Sequence, residues 1–238
     1  MNSQQPIQRK VIDHIPVELD LEEFLRVLRV RRLKKKDVDL LLRRCRQLIE
    51  PKAVYAFVNV SRIEMDKVKL SSGDSLRSII LAEMLEEGQK IALYVVTIGG
   101  RLEKAIPRES EGSILKAWTL EKIGDYALGK ASAHIRSHVE EVLGGAVSSF
   151  SPGSGTGKLF DIKQQKTIFK VLDPPRTVGV DLTRSHLMVP RKSVSGVFAA
   201  TRWEYIACQF CPRERCESRR RPFSGEYYPL NCGQKASL

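Results

Sequence analysis

No apolar run in this 238-residue chain is long enough to cross a bilayer. The longest, such as Ile91 to Val96, fall far short of the ~20 residues that a membrane helix needs. The opening MNSQQPIQRK lacks the apolar core of a secretory signal, so the expected compartment is the cytoplasm, with no membrane partner. Acidic residues are in deficit: 28 Asp and Glu stand against 40 Lys and Arg, a formal net charge of +12. That balance favours anionic partners, whether nucleic acid, acidic proteins or phosphorylated ligands, and says nothing about fold. Charged residues at 29% and hydrophobic ones at 42% exclude a disordered chain. No internal repeat or low-complexity linker appears.

Several nucleotide and metal motifs are also missing. Gly153, Gly155, Gly157 and Lys158 imitate a phosphate-binding loop. However, Pro152 stands at the first glycine position, Leu159 follows the lysine, and the reading places a helix before the loop where the motif needs a strand. The dinucleotide pattern GxGxxG fails because Lys158 stands where the third glycine belongs. There is no HExxH. His134 and His138 fall one turn apart on an expected helix, a pair that could bind a metal but lacks the HExxH context.

The remaining pattern is α+β. An edge strand is expected around Val11 to Ile15. Helical spacing predicts a helix over Leu19 to Val30 on Leu21, Phe24, Leu25 and Leu28, and another from Lys36 to Ile49. This second helix is strongly basic (Lys36, Arg43, Arg44, Arg46), but no aromatic residues interleave its charges to stack on bases. Alternation predicts strands over Val54 to Val60 and Ile63 to Leu70. A helix from Ser75 to Glu86 should end at Gly88, and Ile91 to Val96 reads as a buried central strand. A short helix is expected from Arg101 to Ile106. One long helix should run from Ser113 to Leu143, bent near Gly124 or Gly129 and stopped by Gly144-Gly145. After the small-residue loop SPGSGTGK come an amphipathic helix from Asp161 to Leu172 and a strand from Val194 to Ala200. The helix N-terminus could hold a carboxylate. The polar segment LTRSHLMVPRKSVSG reads, by itself, as a turn that hydrogen-bonds itself through Ser and Thr.

Four of the five cysteines crowd the end of the sequence: Cys208, Cys211, Cys216 and Cys232. CxxC spacing followed by further thiols is a ligand set for zinc or an iron–sulfur cluster, with reduced thiols or a disulfide as the other readings. The flanking arginines, Arg213, Arg215, Arg219, Arg220 and Arg221, would offset the thiolate charge.

The order SPG, then a helix presenting Gln165, Lys166 and Phe169, then LTxSxxMxPxxSVSG resembles the activation (reactivation) domain of cobalamin-dependent methionine synthase. Leu182, Thr183, Ser185, Met188, Pro190, Ser193, Val194, Ser195 and Gly196 keep that spacing without gaps. VTIGGRLE and LEKIGDYA resemble stand-alone relatives of the domain. The resemblance covers about residues 90–207. It divides the chain into an N-terminal helical and strand region (1–89), an activation-domain-like core (90–207) and a cysteine-rich tail (208–238).

The resemblance implies an α+β fold: a twisted, mostly antiparallel central sheet with long packed helices. It also implies S-adenosylmethionine binding in support of reductive methylation of a corrinoid, in the service of a methyltransferase of methionine biosynthesis. No corrinoid-binding DxHxxG occurs, so cobalamin would arrive on a partner protein: a corrinoid-binding protein or methionine synthase modules, with a reductant protein beside them. A redox cluster on the cysteines could pass the electron; a structural zinc fits equally well.

The family's loop reads Arg-x-x-Pro-Gly-Tyr. Here Pro152 and Gly153 match, Ser149 takes the arginine position and Ser154 the tyrosine position. Lys158 or Arg184 is the replacement cation that the sequence offers. The family's later aromatic corresponds to Trp203 or Tyr205. Glu121 or Asp125 would meet the ligand's ammonium. The implied ligand set is therefore Glu121, Asp125, Ser149, Ser151, Pro152, Gly153, Ser154, Lys158, Ser193, Ser195 and Tyr205. The competing readings are the same fold holding another small ligand or acting as a scaffold, and a basic nucleic-acid-binding protein with a zinc-ribbon-like tail.

Overall fold

A computed structural model describes residues 7–28, 33–216 and 218–225. Arg29, Val30, Arg31, Arg32 and Cys232 lie outside the described residues. The organising element is an antiparallel sheet. Its strands are β1 (Arg9–Ile12), β2 (Lys52–Glu64), β3 (Lys67–Leu70), β4 (Ser75–Arg77), β5 (Lys90–Thr97), β6 (Ser148–Phe150) and β9 (Ser193–Ala199). The order is β4-β3-β2-β5-β9-β6, with β1 also paired to β2. A separate two-stranded ribbon pairs β7 (Asp181–Leu182) with β8 (Met188–Val189).

β5 is the central strand because both of its faces are apolar. Ile91, Leu93 and Val95 join one core cluster, while Ala92, Tyr94 and Val96 join another on the opposite face. A continuous hydrophobic run is what a strand buried on both sides requires. β2 pairs with β5 from Lys52↔Thr97 to Asn59↔Lys90, so the N-terminal region and the core share one sheet.

The helices are α1 (Leu21–Leu28), α2 (Lys35–Arg46), α3 (Ile79–Met84), α4 (Arg101–Ser110), α5 (Ile114–Leu143), α6 (Gln165–Leu172) and α7 (Pro174–Thr177). Phe24, Leu42, Leu102 and Leu120 are among the residues that bind α1, α2, α4 and α5 into a helical core of their own. The second half of α5 lies over the sheet through Ala131, Ile135 and Val139.

Several sequence expectations change here. Residues 75–86 are not one helix. Ser75–Arg77 pairs with β3, and Ser78 then caps α3 by accepting from the Leu81 amide at 3.2 Å. An N-cap serine needs extended backbone, so the chain cannot be helical before it. Residues 63–70 are not one strand either. Ile63 and Glu64 finish β2, and a turn with Met65 at φ 48° leads into β3. A strand, β6, precedes the glycine loop where a helix was expected. α4 runs on to Ser110, past the expected end at Ile106. The long helix is continuous, capped by Ser113 and closed by Gly144 in the left-handed region at φ 75°.

Candidate functional site

α5 crosses the β5–β9–β6 end of the sheet and leaves a cleft of about 300 Å³ beside it. Tyr94 of β5 and Phe198 of β9 contribute two stacked rings, 4.0 Å between centroids and 11° apart in plane. The Tyr94 hydroxyl lies 2.9 Å from the Ser149 hydroxyl and 3.4 Å from that of Ser151. On the α5 side stand Gly129, Ala133 and Arg136, and Arg220 enters from the cysteine-bearing segment. Burial pushes the Tyr94 phenol above its ordinary value, while its serine hydrogen bonds and the charges of Arg220 and Arg136 pull the other way.

The glycines of α5 answer to clearance. A Cβ on Gly124 would sit 3.1 Å from Cε of Lys192 and 3.2 Å from a Leu102 methyl. A Cβ on Gly129 would meet nothing within 4 Å, because that position faces the cleft. A mid-helix glycine costs roughly 1 kcal/mol relative to alanine. Gly129 therefore leaves room that alanine or a larger residue would take.

The implied ligand residues divide into two groups. Ser149 and Ser151 line the cleft. Most of the others have structural partners. Glu121 accepts from Arg191 at 3.0 Å and lies 2.7 Å from Lys192, and Lys192 also reaches Asp125 at 2.5 Å. Both carboxylates thus already face cations on the β8–β9 connection. The Ser193 hydroxyl donates to Thr97 and Pro190, and that of Ser195 donates to Gln165. Gln165 in turn donates to the His186 carbonyl. The SVSG serines thus make internal hydrogen bonds of the kind the self-bonding reading expected.

The glycine of that motif stands at a close backbone approach. A Cβ on Gly196 would lie 2.4 Å from the Phe150 carbonyl oxygen. Ser154 donates to the Ser151 carbonyl, and the buried Pro152 precedes Gly153, whose amide bonds Phe160 O at 2.7 Å. Lys158 is exposed and lies outside the cleft lining. Tyr205 is core: it stacks on Phe150 at 4.7 Å and on Phe210 at 5.8 Å, and burial pushes its phenol up to about 12.

Cys208, Cys211 and Cys216 are half-buried thiols. Among the described residues, no three cysteine, histidine or acidic side chains are placed to hold one metal ion, and Cys232 lies outside them. Instead the Arg219 guanidinium gathers this segment, donating to the carbonyls of Cys208 at 2.9 Å, Cys211 at 3.1 Å and Arg213. Burial alone would raise the Cys208 thiol, but the backbone amides and nearby charge of Arg220, with the Arg221 amide, hold it below its ordinary value. Burial pushes the Cys45 thiol up to about 12. Iodoacetamide at neutral pH should therefore modify Cys208 in the native protein and reach Cys45 only after denaturation. Peptide mapping checks this, and native labelling of Cys45 would contradict its burial.

With this geometry in view, known proteins can be compared. Residues 132–221 match the family model described as the vitamin B12 dependent methionine synthase activation domain. That stretch is similar to the activation domain. Its fold matches the crystal structure of the MetH reactivation domain bound to AdoHcy, with a TM-score of 0.63 and 12% identity, covering 84% of this chain and 82% of that one. No curated protein matches the sequence. The matched stretch includes every cleft-lining residue except Tyr94 and Gly129.

Sequence reasoning named the serines that line the cleft, Ser149 and Ser151, and did not name Tyr94, Gly129, Arg136 or Arg220 as site residues. The one available signal was Gly129, a helix glycine that reads as a bend until the space beside it is seen.

Proposed function

We propose that this protein binds S-adenosylmethionine and its product S-adenosylhomocysteine in the cleft between α5 and the β5–β9–β6 edge. In this reading it presents the methyl group to a corrinoid carried by a partner protein. The observation that supports this is the coincidence of the family match with the cleft wall. At about 300 Å³ the cleft lies at the small end of ligand pockets, which run from ~300 to ~1,000 Å³. The residues present fit such a ligand. Paired aromatic rings offer apolar surface, hydroxyls of Tyr94, Ser149 and Ser151 offer polar contacts, and the small residues of α5 leave space.

The corrinoid, when docked, would supply the methyl acceptor and a reductant the electron. The chain's own part is binding and orientation, which lowers the barrier by fixing the methyl group in line with its acceptor. The nucleic-acid reading has less support. The α2 cations are largely engaged: Arg43 with Asp39, Arg44 with Glu109, and Arg46 with the Leu19 carbonyl.

The test is calorimetric titration of S-adenosylhomocysteine into the full chain and into Gly129→Leu. The leucine enters open cleft space and improves helix propensity by up to about 1 kcal/mol. Binding should fall at least about tenfold, by loss of the contacts and space, while the melting temperature holds or rises. Absence of binding by the wild type, or unchanged binding by a stably folded Gly129→Leu, would remove this site. The metal expectation is tested by anaerobic purification with metal analysis, where substoichiometric zinc and iron would rule it out.

A further inference from the structure

A second cavity, of about 360 Å³, shares no lining residue with the cleft described above. Its walls are Lys122 of α5 and Arg213, Arg215, Cys216 and Ser218 of the cysteine-bearing segment. No carboxylate lines it among the described residues. Two distant parts of the chain thus bring three cationic side chains to one hollow.

The shape of the segment is set from within. The Arg219 guanidinium donates to the carbonyls of Cys208 at 2.9 Å, Cys211 at 3.1 Å and Arg213, and the Arg219 amide bonds the Cys216 carbonyl at 3.2 Å. Residues 208–219 are therefore gathered around one side chain, which also fixes the backbone of Arg213. The hydrogen bonds of Arg219 are turned inward, whereas Arg213 and Arg215 are exposed, and among the described residues neither guanidinium meets a carboxylate. On the opposite wall the Lys122 ammonium lies over the Trp118 ring, 5.5 Å from its centroid. Two like charges held at one hollow repel each other, and a bound anion relieves that repulsion.

We propose that this cavity binds the phosphate group of a small molecule. Arg213 and Arg215 read the phosphate, Lys122 stands beside them, and the Ser218 hydroxyl and Cys216 thiol are further donors. A phosphate carries about −1.5 to −2 charges and three strong acceptor oxygens, which suits a site with several cations. Guanidinium forks match its oxygens in pairs. At about 360 Å³ the cavity falls within the ~300 to ~1,000 Å³ of small-molecule sites, so it has room for an ester as well as for the free ion. No aromatic ring lines it among the described residues, so nothing offers a stacking face to a nucleobase. The class it fits is a polar organic phosphate such as a sugar phosphate. This site is separate from the S-adenosylmethionine cleft and does not depend on it.

The experiment is calorimetric titration of inorganic phosphate, glucose 6-phosphate and glucose at constant ionic strength. Each is titrated into the full-length wild type, Arg213→Gln, Arg215→Gln and Gly129→Leu. Both phosphates should bind the wild type and glucose should not. Each arginine variant should weaken phosphate binding about tenfold or more, the loss expected for a charge-assisted hydrogen bond. Gly129→Leu, which changes the other cleft, should bind phosphate as the wild type does. Tighter binding of glucose 6-phosphate than of inorganic phosphate assigns the site to an ester, and equal binding assigns it to the free ion.

Failure of both phosphates to bind, or binding unchanged in both arginine variants, overturns the site. A loss in Gly129→Leu as large as in the arginine variants would put the anion in the other cleft and overturn it equally. Both arginines are exposed, so their variants should melt with the wild type, and the melting midpoints separate a lost contact from a lost fold.

Discussion

Gly196→Ala should destabilise the protein by about 3 kcal/mol or more, because overpacking against backbone is the costly kind. The added Cβ would stand 2.4 Å from the Phe150 carbonyl oxygen and 3.0 Å from the Tyr94 hydroxyl. A side-chain terminus could swing aside. The Phe150 carbonyl belongs to β6, whose Phe150 is registered against Val197 of β9. Relief of the clash therefore means displacing β6, and Ser149 of the cleft moves with it. For a chain of this size the expected fall in melting temperature is roughly 6–12 °C. Urea denaturation gives the same quantity independently, and affinity for S-adenosylhomocysteine should fall with it. A variant within about 1 kcal/mol of wild type would mean that β6 yields cheaply and that the glycine is not a packing requirement.

Lys192→Met is expected to cost about 2–3 kcal/mol near neutral pH, as removal of one partner from a half-buried charge cluster does, after discounting for the exposed carboxylate. The Lys192 side chain is only 12% exposed and lies between Glu121 and Asp125, which are 31% and 54% exposed. Without it, Arg191 remains for Glu121, and among the described contacts Asp125 loses its salt bridge.

The pH dependence has a definite sign. Burial would raise the Glu121 carboxyl, but Lys192 and Arg191 hold it below its ordinary 4.5. Its stabilisation is present above that value and is lost as pH falls through the lower, folded one. Burial would lower the Lys192 ammonium, but Asp125 and Glu121 hold it above its ordinary 10.5. That stabilisation is present below this value and is lost as pH rises through the higher, folded one. The gap between wild type and variant should therefore be widest between the two ordinary values and close in acid and in strong alkali. Urea midpoints across pH measure it, and a gap that stays constant from pH 7 to pH 3 would rule out the ion-pair account.

The sequence by itself determined the class of fold. The two-sided apolar run of β5 required a buried strand, and Ser113 and Gly144 bracketed α5 to within a residue. The spacing from Leu182 to Gly196 carried the resemblance that the fold match and the match over residues 132–221 bear out. These are local properties, set by periodicity, capping and spacing along the chain.

The cleft was not legible in the same way, because no local pattern encodes it. Tyr94 reaches Ser149 only because β5 pairs with β9 at Tyr94↔Gly196 and β9 pairs with β6 at Val197↔Phe150. Arg136 and Arg220, 84 residues apart in sequence, line the same cleft from a helix and from the segment after the cysteines. Within the SVSG motif, the structure places Ser193 and Ser195 in internal hydrogen bonds and Gly196 at a close backbone approach. Sequence could name the polar residues. Only the long-range pairing of the sheet decided which of them line the cleft and which bond within the fold.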